Sequence, residues 1–248
     1  MIEVALVRAA NPSPMTLSGT NTWVVGRDPA WVVDPGPALP AHIAAVAAAV
    51  EAGGGAGGIV LTHDHADHAE GVPALADRLG GPPVAAMRHP ADVALGDGDV
   101  FGPFTALHLP GHAQDHLVLV AGDAGFTGDA VLGAGSVFIA PDGGGLAAYL
   151  DGLRRLRALG LVRLHPGHGP VIEDVDARLD AYVAHRLERE ERLLAALAAG
   201  ARDEDALLDA AWADAPAALR PVAALTLRAH LEKLRDDERL PEGVEIGG

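Results

Sequence analysis

His63-Asp64-His65-Ala66-Asp67-His68 follows directly on the apolar run Gly58-Ile59-Val60-Leu61-Thr62. The run is short and β-branched, which predicts a buried strand that carries the polar cluster to the edge of a sheet. Three imidazoles and two carboxylates then fall within six positions. Imidazole nitrogen and carboxylate oxygen are the ligands that Zn²⁺ and related divalent ions take where no thiolate is at hand. His63 and His65, two apart on a turn leaving the strand, can reach one ion. Asp67 and His68, at the start of the next helix, can reach a neighbour about 3.5–4 Å away. The alternative is a solvated polar loop with accidental histidines, and the rest of the chain decides between the two.

At 248 residues, 49% of them apolar, the chain can bury a substantial core and predicts one catalytic domain plus a small appendage. A net charge of -16 disfavours a broad electrostatic footprint on nucleic acid, although a local basic patch would still admit RNA. With no cysteine, any metal must be held by His, Asp or Glu. Glu3 and Arg8 interrupt the first apolar residues, so a signal peptide's h-region is missing. Ala41–Val50 carries His42 and is too short to span a bilayer. A soluble, cytoplasmic protein with no membrane partner is expected, its oligomeric state left open.

Ile2–Val7, Thr22–Val25 and Trp31–Asp34 predict a β-meander, its last strand ended by Asp34-Pro35-Gly36. The Asp34 carboxylate fits capping of loop amides at least as well as catalysis and is not taken as a metal ligand. Pro40–Ala52 predicts an Ala-rich helix, Gly53–Gly58 a turn, and Gly71–Leu79 a second helix. Alternation of helices and strands points to α/β layers. The second half restarts with Phe104–Leu109, His116–Val120 and Gly125–Thr127 as strands.

Three more candidate ligands follow one grammar of strand, tight turn, polar residue. They are His112 in Pro110-Gly111-His112, Asp129 after Phe126-Thr127-Gly128, and His168 in His165-Pro166-Gly167-His168-Gly169. Any one alone would be an ordinary loop residue. Together they supply the three or four ligands per ion that a stable zinc site needs, which the first cluster cannot do by itself.

Taken as a set, these motifs resemble those of the metallo-β-lactamase-fold hydrolases over most of residues 16–170. The resemblance implies an α/β fold, a four-layer αββα sandwich of two mixed sheets with helices outside and a dinuclear site at one edge. It also implies that His63, His65 and His112 hold one ion, that Asp67, His68 and His168 hold the other, and that Asp129 bridges them. Gly19-Thr20-Asn21-Thr22-Trp23, Pro110-Gly111-His112 with Asp115-His116, and Pro166-Gly167-His168-Gly169-Pro170 resemble the β-lactamase-like protein 2 branch more closely. That branch includes endoribonucleases and polyketide-synthase thioesterases, so fold does not fix substrate. The best-known dizinc β-lactamases place a cysteine where Asp129 stands, which argues against antibiotic hydrolysis.

The expected cofactors are therefore two divalent ions, Zn²⁺ first. The expected function is a dinuclear-zinc hydrolase whose metal-bridging hydroxide attacks a small thioester, ester or phosphodiester. Asp67 would orient that hydroxide and take up the proton. His116 is a candidate proton donor or partner of a ligand, and Asn21 a candidate substrate hydrogen bond. The alternatives are a single-stranded RNA endonuclease, a mononuclear-iron persulfide dioxygenase sharing the His-x-His-Ala-Asp-His pattern, and a non-enzymatic metal-binding protein.

Residues 1–175 are assigned to the catalytic domain and 176–248 to a helical, winged-helix-like region. Asp176–Ala199 predicts a long helix with Val183, Leu187, Leu194 and Leu197 on one stripe and Arg186–Arg192 as a solvated face. Asp203–Trp212 and Pro216–Asp236 predict two further helices, the second with Leu227, Leu231 and Leu234 on one side. Arg239–Ile246 is a candidate hairpin wing. If RNA is bound, Arg228, Lys233, Arg235 and Arg239 are the cations available for it.

Overall fold

A computed structural model describes residues 2–244 of the chain. Val4–Arg8 (β1), Asn21–Val25 (β2) and Ala30–Val33 (β3) form the expected antiparallel meander. Pro40–Ala52 (α1) follows with its proline in the first turn, where the missing N–H costs nothing. Ile43, Val46, Ala47 and Val50, at helical spacing, are its buried face. Ala56–Val60 (β4) begins two residues earlier than the apolar run suggested, because Ala56 already pairs with Ala30. Ala66–Ala69 (α2) and Val72–Arg78 (α3) lead to two short parallel strands, Val84–Ala86 (β5) and Val93–Ala94 (β6). These six strands make one mixed sheet in the order β1-β2-β3-β4-β5-β6.

The second sheet takes Val100–Phe101 (β7), Phe104–His108 (β8), Leu117–Ala121 (β9), Ala124–Gly128 (β10) and Arg163–Pro166 (β11), in the order β11-β10-β9-β8-β7. β7 to β10 run as antiparallel neighbours, whereas β10 and β11 are parallel. A parallel pair needs a crossover, and Gly145–Ala158 (α4) supplies it.

Alternation along the strands then builds the layers. Trp23, Val25, Val33 and Val60 meet Phe104, Leu117, Leu119 and Phe126 between the two sheets. On the opposite face, Val24, Val32 and Ile59 pack against α1 and α3. Leu107, Val118 and Leu164 pack against α4 and the first half of Val175–Ala198 (α5). The order is helix, sheet, sheet, helix, the αββα sandwich expected from the motifs.

Asp174 caps α5 by accepting the Ala177 N–H. Glu204–Ala211 (α6) and, after a 3₁₀ turn at Ala217–Leu219, Arg220–Asp236 (α7) complete the helices. Leu193, Leu197, Leu207, Leu208, Trp212, Leu227, Leu231 and Leu234 form a separate core among α5, α6 and α7. α5 thus runs through both cores, inside the sandwich with Leu179 and Tyr182 and beyond it with Leu193 and Leu197. Of the expected wing, residues 239–244 form turn and coil with no strand, with Pro241 and Gly243 (φ 78°) interrupting the backbone. Residues 245 and 246 lie outside the described residues. Among the described residues no helix is long and apolar enough to cross a membrane.

Two expectations for this region are corrected. The charged run on α5 is only in part a solvated face: Glu188, Glu191 and Arg192 are exposed, but Arg186, Arg189 and Glu190 are 2%, 6% and 4% exposed, while Leu187, placed on the apolar stripe, is 43% exposed. Their partners explain it. Arg189 donates to the Ala211 carbonyl and to both oxygens of Asp214, and Glu190 accepts from Lys233 (2.9 Å) and Arg239 (2.6 Å). Nor are the C-terminal cations free. Arg228 pairs with Glu204, Lys233 with Glu190 and Asp237, Arg235 with Asp236, and Arg239 with Glu190.

Candidate metal centre

Every candidate ligand leaves the C-terminal end of a strand. His63 and His65 stand in the loop after β4, Asp67 and His68 in α2, His112 between β8 and β9, Asp129 directly after β10, and His168 two residues after β11. Glycine makes this convergence possible at two points. A Cβ on Gly167 would lie 2.6 Å from the His68 ring and 2.7 Å from Asp129 Oδ1, and one on Gly128 (φ 45°) would lie 2.3 Å from Thr62 Oγ1. Only a residue without a side chain fits at either place.

The donor atoms fall into two sets. His65 Nδ1 lies 3.0 Å from His63 Nε2 and 3.0 Å from His112 Nε2. His168 Nε2 lies 3.3 Å from Asp67 Oδ2, and His68 Nε2 lies 3.5 Å from the same oxygen. A tetrahedral ion with ligands at about 2.0–2.1 Å spaces them about 3.3 Å apart, so each set fits one ion. Asp129 faces both: Oδ2 is 3.6 Å from His112 Nε2, and Oδ1 is 3.3 Å from His168 Nε2 and 3.5 Å from His68 Nε2. The seven predicted ligands are thus brought together, with Asp129 between the two triads.

The protein alone does not satisfy this arrangement. His68 Nε2 and Asp129 Oδ1 are buried without a hydrogen-bond partner, a deficit of about 1–3 kcal/mol per group that a bound cation would remove. Charge points the same way. Burial opposes protonation of His68, yet Asp129 and Asp34 raise it well above the usual imidazole range. His168, against the same opposition from burial, is raised to about 9 by Asp129 and Asp67. Burial favours the neutral acid at Asp67, but His168 and His68 hold it at about 2. The carboxylates demand positive charge here, and protons supply it where an ion would, so binding an ion would release them. In the other set, burial first and then neighbouring imidazoles lower His63 well below its ordinary value. Burial likewise takes His112 to about 4, and both imidazoles are left neutral as ligation requires.

A buried network outside the ligands orients them. Asp34 stands in the left-handed region at φ 52°, a strained conformation that turns its carboxylate back under the site. Its Oδ1 accepts the Thr62 N–H (2.7 Å), and its Oδ2 accepts the Thr62 hydroxyl (2.7 Å) and His68 Nδ1–H (2.9 Å). The Thr62 oxygen in turn lies 3.0 Å from His63 Nδ1. One carboxylate therefore fixes a ligand of each set. Thr20 donates its hydroxyl to Asp67 Oδ2 (3.1 Å), and Asp115 Oδ2 accepts the Asp64 N–H (3.0 Å). The sequence signals of these partners were a carboxylate before Pro-Gly and a threonine in Gly-Thr-Asn-Thr-Trp, neither specific by itself.

Of the two remaining candidates, His116 takes the second of its expected roles, partner of a candidate ligand, and Asn21 a role other than the one expected. His116 is buried, stacks on His63 at 4.8 Å, and accepts the Asp129 N–H at Nε2 (3.1 Å). Burial holds its pKa well below normal, so it is a neutral acceptor that positions Asp129 rather than a proton donor. Asn21 is buried, donating to the carbonyls of Pro166 (3.0 Å) and Gly169 (2.9 Å) and accepting from Arg8 (3.0 Å). It holds the His168 loop in place, so its amide is committed to the protein rather than to a substrate.

A sequence profile described as the Metallo-beta-lactamase superfamily matches residues 15–93. The chain is similar to a beta-lactamase-like protein 2 homolog of Caenorhabditis elegans, 31% identical over 94% of this chain and 84% of that protein. It is 34% identical to a lactamase-like protein of Neosartorya fischeri over 79% of this chain, and it spans 62% of that relative's length. It is 37% identical to an atrochrysone carboxyl ACP thioesterase of Aspergillus chevalieri over 79% of this chain and 66% of that protein. Among solved structures, a beta-lactamase domain protein from Burkholderia ambifaria superposes with a TM-score of 0.78 at 19% identity, covering 94% of this chain and 87% of the other. A protein solved in a di-iron-bound form superposes with a TM-score of 0.58 at 27% identity, covering 71% and 98%.

Proposed function

The chain belongs to the metallo-β-lactamase superfamily, and on that footing we propose that it is a dinuclear-zinc hydrolase of a thioester or ester whose apolar acyl group lies beside the metal centre. The observation that carries this reading is a groove of about 580 Å³ that begins at His112 and Asp129 and runs to the C-terminal helices. Met15, Leu17, Phe138, Trp212, Leu219 and Val222 are among its walls. A volume and lining of this kind suit a small apolar ligand. The thioesterase of Aspergillus chevalieri among the relatives supports the same bond type. A cytoplasmic site of action belongs to the proposal.

Two divalent ions, when bound, supply a water activated near neutral pH and polarise the acyl oxygen. Asp67 would take the proton of the attacking water, a role supported by its being the more open of the two carboxylates at 30% side-chain exposure against 11% for Asp129. With His116 committed to the Asp129 backbone, a leaving group that departs without a donated proton is favoured. A thiolate, with a pKa of about 8.5, is such a group. RNA cleavage ranks below, because each cation assigned to phosphate is already ion-paired. A one-iron dioxygenase needs only three of these seven ligands. Iron in place of zinc at both positions is the alternative metal, supported by the di-iron-bound neighbour.

Kinetics on a straight-chain acyl-thioester series test the assignment. Each methylene buried in the groove contributes about 0.8 kcal/mol, so kcat/KM should rise about fourfold per added methylene until the groove is filled. Acetyl and long-chain thioesters cleaved alike, alongside faster cutting of single-stranded RNA, would contradict it.

A further inference from the structure

Between Asp129 and Pro141 the chain runs past His168 and His112 without forming a strand or helix, so its backbone polar groups need partners from elsewhere. The helices at the C-terminal end provide them. Leu132 N–H donates to the Tyr182 hydroxyl (2.8 Å), and Arg178 donates to the carbonyls of Leu132 (2.7 Å) and Gly135 (2.8 Å). Arg186 donates to the Ser136 hydroxyl (2.8 Å) and to the Val137 carbonyl, and Ile139 N–H donates to Thr226 on α7 (3.1 Å).

Arg186 is the least expected of these side chains. It is 2% exposed, its Nε has no partner, and among the described residues no carboxylate pairs with it. A buried cation without a counter-charge costs several kcal/mol, and an apolar side chain of similar volume would stabilise the fold better. What an apolar residue could not do is hold two acceptors of the same loop. That loop ends on a ligand: the Phe138 carbonyl lies 3.4 Å from His112 Nδ1, and the Phe138 ring packs on the His112 ring at 4.6 Å. A carbonyl that accepts the Nδ1 proton fixes the tautomer and aims the Nε2 lone pair at the first set of ligands.

We propose that Arg186 is a positioning residue for the metal held by His63, His65 and His112, acting through the segment Ser136–Phe138, with Thr226 supporting the same segment from α7. The helical C-terminal region is on this account part of the metal-site scaffold and not a separable binding module. The proposal rests on the two-metal reading of the site.

Chelator titration of zinc-loaded protein, followed by released zinc, tests it in the full chain. His112→Ala identifies which release step belongs to the first set. In Arg186→Lys, which keeps the charge but is too short to bring a nitrogen to where the single Nη2 makes both contacts, that step should occur at about tenfold lower chelator, the scale on which lost partners of ligands act. The other step should stay where it is. Thr226→Val should move the same step by less, and it carries the test alone if Arg186→Lys does not fold. A merely structural role would lower the melting temperature of the metal-free protein and shift both steps together, and that result overturns the proposal. So does a first step unmoved in both variants, with the hydrolase reading left standing. A wild-type chain that does not hold two ions would instead remove the reading on which the proposal rests.

Discussion

Asp67→Asn is expected to lower turnover on the best acyl-thioester by about 100-fold or more while the chain stays folded. Asp67 Oδ2 accepts the Thr20 hydroxyl and lies within 3.5 Å of both His68 Nε2 and His168 Nε2. With its carboxyl held at about 2, it is an anion throughout the working pH range. Asparagine keeps the shape but replaces one oxygen by an amide donor, which would face a cation and two imidazole nitrogens. It also removes the group proposed to take the proton of the attacking water. Asp67 is in the first turn of α2, a helix of only four residues, so circular dichroism should be nearly unchanged. Wild-type turnover in the variant would show that Asp67 has no such part.

Asp34→Asn, at a residue outside the seven proposed ligands, is expected to weaken metal binding at both proposed positions by about 10–100-fold. The carboxylate accepts three donors, Thr62 N–H, the Thr62 hydroxyl and His68 Nδ1–H. An asparagine amide can accept the first but presents N–H to the other two. His68 must then move its proton to Nε2, the atom that ligation needs free, and the Thr62 hydroxyl must turn away from the orientation that serves His63 Nδ1. Calorimetric zinc titration measures the effect. Unchanged affinity at both positions would mean that the network is ornamental to the ligands it touches.

The clustering of the candidate ligands was legible because their chemistry is local: His112, Asp129 and His168 follow a strand and a tight turn, Asp67 and His68 open the helix after β4, and imidazole with carboxylate at that spacing has few other uses. The strands and the helix Pro40–Ala52 were legible for the same reason, since periodicity and terminal proline and glycine act over a few residues. What escaped was set by partners distant in sequence. The arginines of α5 have the composition of a solvated face, and only the segment around Ser136–Val137 and the Asp214 carboxylate bury them. His116 and Asn21 were seen as polar residues near the site, but whether such a side chain meets substrate or backbone depends on loops brought in from Asp129 and Pro166. The strands β5, β6 and β7, two or three residues long, are too short to show any period.

The two-ion centre is the claim on which the rest depends, and metal analysis of the purified chain after zinc loading and removal of excess tests it most directly. Two donor sets joined by Asp129 predict about two zinc ions per chain, with activity lost on chelation and regained as the second ion returns. A single ion, whether zinc or iron, at full and unchanging activity would contradict it.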